Sequence, residues 1–312
     1  MFTESMRESF GRALVDMGDS NHKLVVVDAD LSKSTKTEYF KSVFPDRFVD
    51  VGIAEQNLVG VSAGLAAAGM NVFASSFAVF ETGRAYEIIR NSVCMGKLNV
   101  KLCSTHAGLM TGPDGATHQS IEDIAIMRVL PNMRVLVPAD AIEAYQMTKY
   151  LANSDGPAYM RLVREDVENI LGDDYQFELG KSKVLRDGDD ISIIACGPMV
   201  SNSIKASDLL RQEGINVRVV NMSTIKPLDT SIIEDCAKNT RAILTIEDHS
   251  KIGGLGSAVC EYISEHCPIK VKKIGVPDEF GMSAKAEELY EHFNMTTDDI
   301  VDQVMILMGI DF

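Results

Sequence analysis

The sequence predicts two α/β domains in tandem, each a three-layer unit with a parallel sheet covered by helices on both faces. Three observations carry this. Short β-branched runs recur along the chain, most intervals between them are long enough for crossover helices, and the alternation breaks once, over residues 165–180, before restarting. A length of 312 residues suits two domains. The expected division is 1–172, a linker over 173–185 beginning in Gly172-Asp173-Asp174, and a smaller second domain over 186–312.

In chain order, residues 24–27, 48–51, 72–74, 100–103 and 135–137 are strand candidates of the first domain, and 191–196, 217–220, 242–246 and 269–274 of the second. The amino-terminal MFTESMRESFGRALVDMG is amphipathic and charged, unlike a basic segment followed by an apolar run, so no export signal is expected. Residues 58–80 carry no charge, which on length alone suits a membrane span. Gly60, Ser62, Gly64, Gly69, Ser75 and Ser76 dilute that run, and Gly69-Met70-Asn71 is a turn signal dividing it into a helix over 58–68 and a strand. No membrane association is expected.

Lys plus Arg number 30 and Asp plus Glu 45, a net charge of −15, which argues against nucleic acid and anionic lipid as partners. Hydrophobic residues at 46% and charged residues at 24% allow a large core. The six cysteines form no Cys-x-x-Cys pair and do not combine with His at metal-ligand spacing. They read as buried thiols of a cytoplasmic protein without a metal site of its own.

Glu55, in Val51-Gly52-Ile53-Ala54-Glu55-Gln56-Asn57, is the only charged residue from Val51 to Phe80 and opens an otherwise small and apolar helix. A helix amino terminus favours the carboxylate and apolar burial the neutral acid, the combination a proton relay uses; a first-turn acid placed by the helix dipole fits the same spacing. A denser constellation is Thr105-His106-Ala107-Gly108-Leu109-Met110-Thr111-Gly112-Pro113-Asp114-Gly115-Ala116-Thr117-His118-Gln119, with two of the six His in a Gly/Pro-rich loop after a strand. Loops at the carboxyl ends of parallel strands bind ligands, and two imidazoles with a carboxylate suit acid/base and hydroxyl-binding work. An incidental surface loop is the alternative. Phe77 and Phe80 follow a strand just before a helix opening at Glu81, where an aromatic either stacks on a heterocycle or fills the core. Arg164 ends a strand-like run and has the planar fork that takes phosphate. Gly254-Leu255-Gly256 lacks the third glycine of a dinucleotide fingerprint because Val259 stands there, so it reads as a helix-start loop.

Together these stretches resemble the carboxyl-terminal half of transketolase, a thiamine diphosphate enzyme, over nearly the whole chain. The most specific piece is Thr105-His106, then Asp114-Gly115-Ala116-Thr117-His118-Gln119, then Arg128-Val129-Leu130-Pro131-Asn132-Met133. The resemblance implies a pyrimidine-binding domain followed by a transketolase C-terminal domain. It implies that Glu55 hydrogen-bonds the aminopyrimidine ring nitrogen and drives the cofactor to its imino tautomer, which deprotonates the thiazolium carbon. Phe80 would stack on the pyrimidine with Phe77 nearby. His106 and Asp114 would bind sugar hydroxyls, and His118 would assist proton transfer at a carbonyl oxygen. Arg164 and Ser34 would contact the phosphate of a sugar phosphate, and Asp30 would lie at the subunit interface close to the cofactor.

Full-length family members hold the diphosphate through a metal ion bound by a Gly-Asp-Gly motif and a downstream Asn in an amino-terminal domain. No Gly-Asp-Gly occurs here; Asp187-Gly188-Asp189-Asp190 reads as a turn. The resemblance therefore implies a separate N-terminal subunit holding Mg2+ or Ca2+, in an α2β2 assembly self-associated through the pyrimidine domain. Gly83 stands where the family often has tyrosine, and Ile53-Ala54-Glu55-Gln56 is closer to deoxyxylulose-phosphate synthase. Those synthases share Asp-Gly-x-Thr-His-Gln but lack the preceding Thr-His, so His106 favours transketolase. The β subunit of a 2-oxoacid dehydrogenase has the same two-domain build without this loop. Intact Glu55, His106, Asp114 and His118 argue against a noncatalytic partner subunit. His249, in Glu247-Asp248-His249, stands at a strand-to-loop edge and would line the entrance or serve structurally.

Overall fold

The computed structural model describes residues 2–172 and 174–310; Met1, Asp173 (where the expected linker begins), Asp311 and Phe312 lie outside the described residues. Among the described residues the strands are β1 (Thr3–Glu4), β2 (Leu24–Asp28), β3 (Phe48–Asp50), β4 (Asn71–Ser75), β5 (Val100–Ser104), β6 (Arg134–Leu136), β7 (Ala158–Arg161), β8 (Val167–Glu168), β9 (Lys183–Arg186), β10 (Ile191–Ala195), β11 (Val217–Asn221), β12 (Thr224–Lys226), β13 (Ile243–Ser250) and β14 (Val271–Val276). One sheet runs β12-β6-β7-β5-β4-β2-β3 and the other β14-β13-β10-β11-β9, while β1 pairs with β8 alone. The pairs from β6 to β3 are all parallel, as are β11-β10-β13-β14. β2, β4, β5 and β10 are buried along their whole length, the signature of strands covered on both faces.

Two edges depart from the purely parallel expectation. β9 runs antiparallel to β11, and β12 runs antiparallel to β6, so a strand from the second half of the chain closes the first sheet. Both are short and polar, and neither offers the β-branched run by which strands are recognised.

The uncharged run is divided as its glycine turn predicts, into a helix Glu55–Ala67 and β4, with the helix beginning at Glu55 rather than residue 58. No helix among the described residues is long and apolar enough to cross a membrane. Beyond β4 the chain winds as π-turns over Val79–Arg84 and Ile89–Cys94, not as the ordinary helix the sequence suggests. Cys94, Cys103, Cys196 and Cys236 are buried, but Cys260 and Cys267 are only half-buried, which corrects the expectation for those two: they sit on the helix Leu255–His266 and at its carboxyl cap. The core is shared between the two halves, with Phe10, Phe73 and Met160 in one apolar cluster with Ile193, Met199 and Tyr290.

Candidate active site

The candidate residues gather at the carboxyl ends of the parallel strands. Asp30 follows β2, Glu55 follows β3, Phe77 follows β4, His106 follows β5 and Arg164 follows β7, so neighbouring strands deliver them to one edge of the sheet.

Buried Asp28 at the end of β2 shapes the first loop. It accepts hydrogen bonds from the Leu31 amide (2.7 Å) and from the hydroxyls of Thr35 and Thr37 (2.8 Å each), fixing the turn that carries Asp30 and Ser34. Asp30 is exposed at φ +61° and donates its amide to Asp50, whose same oxygen accepts from the Gly52 amide, tying this loop to the approach to Glu55.

Glu55 is 2% exposed as the first residue of its helix. Arg84 donates to its carboxylate at 2.5 Å and sits 5.2 Å over the Phe80 ring. One guanidinium, flat and rich in N–H groups, thus spans a carboxylate and an aromatic face. A flat aminoheterocycle has the same complementarity to this pair, so the residues present fit the pyrimidine of thiamine. The Cβ that Gly83 lacks would point into open space, so nothing among the described residues bars a side chain at that position.

β4 and β5 extend into the site. The Ala78 amide donates to the Thr105 carbonyl (2.8 Å) and the Thr105 amide to the Ser76 carbonyl (3.0 Å), locking Phe77 beside His106. Their rings stack at 3.8 Å between centroids, and His118 presents an edge to Phe80 at 5.2 Å, with Phe77 and Phe80 6.2 Å apart. His106 is 4% exposed at φ +57°, a conformation uncommon outside glycine, and its Nδ1 lies 2.9 Å from the Thr105 hydroxyl. Burial first, then the neighbouring charges of Arg7, Arg164 and His118, push its pKa down to about 3. It is a neutral imidazole suited to hydrogen-bonding hydroxyls. His118 is half-buried, with Nδ1 3.0 Å from the Thr117 hydroxyl, and Asp114 is exposed.

Arg164 donates to the Thr111 carbonyl (2.9 Å) and lies 3.4 Å from Asp114. Arg7, on the first helix (Met6–Ser20), donates to the carbonyls of Ser34 (2.9 Å) and Arg164 (2.6 Å), bringing the two expected anion contacts together. Sequence reasoning misses Arg7, because an arginine on an amphipathic helix has no local signature. It also misses Glu81, fully buried next to Phe80, which accepts from the Ser104 hydroxyl at 2.5 Å and leaves its other oxygen unpartnered. Burial, with Asp28 and Glu55 nearby, pushes its pKa up to about 8. The only sequence signal is a lone acid between two aromatics and a small-residue turn.

His249 does not line the entrance. It is fully buried, accepts from the Ala125 amide at 3.3 Å and places Nδ1 2.6 Å from the Ser250 carbonyl. Gly254-Leu255-Gly256 opens the helix Leu255–His266, whose first amides donate to buried Glu247 (2.6 and 2.8 Å), leaving no room there for a dinucleotide phosphate. No group of three or more His, Cys, Asp or Glu among the described residues is placed to hold a metal ion.

A doubly wound sheet with these side chains at its switch edge is matched by two family models, the transketolase pyrimidine-binding domain over residues 3–169 and the transketolase C-terminal domain over residues 180–300. The chain belongs to the transketolase family. It is 46% identical to a Methanocaldococcus jannaschii protein named for a transketolase C-terminal section, covering 97% of this chain and 96% of that protein. It is 38% identical to one of the subunits of an apulose-4-phosphate transketolase from Phocaeicola vulgatus, covering 94% of each. Among solved structures, one described as a split gene transketolase, an inactive β4 tetramer, superposes with a TM-score of 0.92 at 49% identity over 99% of both chains.

Proposed function

We propose that this chain is the C-terminal subunit of a thiamine diphosphate-dependent transketolase, transferring a two-carbon ketol unit from a ketose phosphate to an aldose phosphate. Its pyrimidine-binding part would span 1–172, with a linker over 173–185 and the C-terminal part over 186–312. A separate N-terminal subunit would hold the diphosphate through Mg2+ or Ca2+, in an α2β2 assembly in which this chain self-associates through its pyrimidine domain. Bound thiamine diphosphate supplies the carbanion-stabilising chemistry.

The residues of this chain bind, orient and move protons. Glu55 offers a buried carboxyl to the pyrimidine ring nitrogen, and Phe80, backed by Phe77, offers a stacking face. Neutral His106 and exposed Asp114 take sugar hydroxyls, and His118 moves a proton at the carbonyl oxygen of donor or acceptor. Arg164 and Ser34, joined by Arg7, take the anionic end of the sugar against an unfavourable net charge of −15. Asp30, exposed on a fixed turn, faces the partner. The observation that carries this reading is the stack of Phe77 on His106 with His118 edge-on to Phe80, because it joins a platform for a heterocycle to two imidazoles for a sugar. A phosphorylated sugar is supported by the subunit-type relative named for apulose-4-phosphate. A need for a partner is supported by the similar tetramer of β chains described as inactive.

The test is reconstitution. Mixed with the N-terminal subunit, thiamine diphosphate and Mg2+, the chain should turn over ketose and aldose phosphates, and neither subunit should do so alone. Glu55→Ala should lower turnover of the pair about 10²-fold or more while the melting curve stays unchanged. Robust transfer by the chain alone would sink the split enzyme, undiminished turnover by the variant would remove Glu55, and acyl transfer from pyruvate to lipoate would make the chain a 2-oxoacid dehydrogenase β subunit.

A further inference from the structure

The loop that carries His106, Asp114 and His118 has little regular structure of its own. His106, Gly108, Gly112 and Gly115 all have positive φ, and its short 3-10 segment Leu109–Asp114 is broken at Gly112. Inside the loop the Thr111 hydroxyl donates to the His106 carbonyl, and the Gln119 side chain donates to the Gly112 carbonyl. The second half of the chain supplies further support.

Asp248, near the end of β13, is 1% exposed and accepts the Leu109 amide at 2.9 Å. Its own carbonyl accepts from Arg161 at 2.6 Å, and Arg161 is held by Asp123, which also accepts from the Tyr159 hydroxyl. The backbone that carries this carboxyl group is therefore held in place. The loop passes so close over it that a Cβ at Gly108 would lie 2.2 Å from an Asp248 oxygen and 2.7 Å from Arg161, so only glycine fits. Further along, Gln119 donates to the Met282 carbonyl at 2.9 Å, a Cβ at Gly281 would lie 1.9 Å from the Gln119 side-chain oxygen, and the Ser283 hydroxyl donates to the Pro113 carbonyl at 2.6 Å, next to Asp114.

We infer that the C-terminal domain is a positioning device for the substrate loop: Asp248 and the segment 281–283 hold residues 108–119 in the shape that presents His106, Asp114 and His118 to the sugar. That the ligand is a sugar rests on the transketolase reading; the clamp itself rests on the contacts. Asp248 is a positioning residue, since it acts through the loop backbone. The geometry gives a domain without a chemical cluster of its own a task behind the pyrimidine domain: it adds a second set of anchors to a loop with little regular structure.

Hydrogen exchange on the purified chain and kinetics of the reconstituted pair test this together. Asp248→Ala removes a charged acceptor, worth about ten- to a hundredfold in the opening equilibrium, so exchange at the Leu109 amide should accelerate by about that factor while β2 and β10 amides keep their protection. In the pair it should raise KM for the sugar phosphate about tenfold and leave thiamine diphosphate affinity within about twofold. Asp248→Asn keeps an oxygen for the Leu109 amide and should restore most of both. Ser283→Ala, at an exposed contact, should loosen only residues 112–116, and it decides the matter if Asp248→Ala does not fold. Native exchange across the loop in a folded Asp248→Ala, or at 112–116 in Ser283→Ala, would overturn the clamp. Faster exchange with no sugar-phosphate turnover by the native pair would keep the clamp and remove the transketolase reading.

Discussion

A left-handed backbone and a ring packed flat on Phe77 leave His106 with an imidazole that stays neutral under ordinary conditions, because the buried ring next to Arg7 and Arg164 resists a proton down to about pH 3. In the unfolded chain the same ring titrates near 6.5. Between those values the unfolded state binds more protons, so stability rises with pH across the window and is lost on acidification. Glu81 works in the opposite sense: folded, it keeps its proton to about pH 8, so between about 4.5 and 8 its contribution falls as pH rises. His106→Asn separates the two. Urea unfolding at pH 6.5 and 4.5 should show the native chain losing stability relative to the variant by up to about 1.4 kcal/mol per pH unit, and parallel losses would show that His106 titrates normally when folded. His106 and His118 are legible in the sequence because glycine and proline crowd around them after a strand. Arg7, Glu81 and Asp248 are not, because each acts on a partner far away in the chain: Arg7 on Ser34 and Arg164, Glu81 on Ser104, and Asp248 on Leu109.

Strand ends and helix starts turn single side chains into a site. The first helix, capped by Ser5, brings Arg7 across to the turns after β2 and β7, where it grips the Ser34 and Arg164 carbonyls, and Arg164 in turn grips the Thr111 carbonyl. The proposed anion contacts are thus brought together from three separate elements, with the Arg164 guanidinium partly exposed. Arg164→Ala should raise KM for a phosphorylated sugar about ten- to a hundredfold, the worth of a charged hydrogen bond, with thiamine diphosphate affinity nearly unchanged. An unchanged KM would take Arg164 out of the site. Most of the buried parallel strands are easy to read because β-branched runs announce them, whereas β7, with the sequence AYMR, has no β-branched residue and is missing from the strand candidates, and β1, β8, β9 and β12 are short and largely polar. The π-turns around Phe80 are invisible for another reason: a switch from α to π winding leaves the helical periodicity almost unaltered. What they do is set Arg84 over the Phe80 ring while Glu81 between them turns into the interior toward Ser104.

The two sheets are not independent bodies joined by a tether. β12 leaves the second half to pair with β6, and Lys226 on it donates to the carbonyls of Arg128 (2.9 Å) and Leu130 (2.6 Å). The Ser250 amide donates to the Ile121 carbonyl, and fully buried Arg161 pairs with Asp123 in one half while bonding the Asp248 carbonyl in the other. Separating the halves would bare the β6 edge, leave a buried guanidinium short of a partner and open the shared core around Phe10, Met160, Met199 and Tyr290. Each of these costs the separated state free energy, and a buried charge pair broken on one side alone costs about 3–5 kcal/mol. Residues 165–180 read in sequence as a boundary because they are polar, yet a polar connector does not make a loose joint when a later strand reaches back across it. The chain should therefore unfold as one unit: calorimetry should give a single transition whose calorimetric and van't Hoff enthalpies agree. Lys226→Met, which removes the donor to two partly buried carbonyls, should lower that one transition rather than split it. Two resolved transitions in the native chain would mean that the second domain folds and melts on its own, and it then could not hold the substrate loop through the temperature range in which the first domain is still folded.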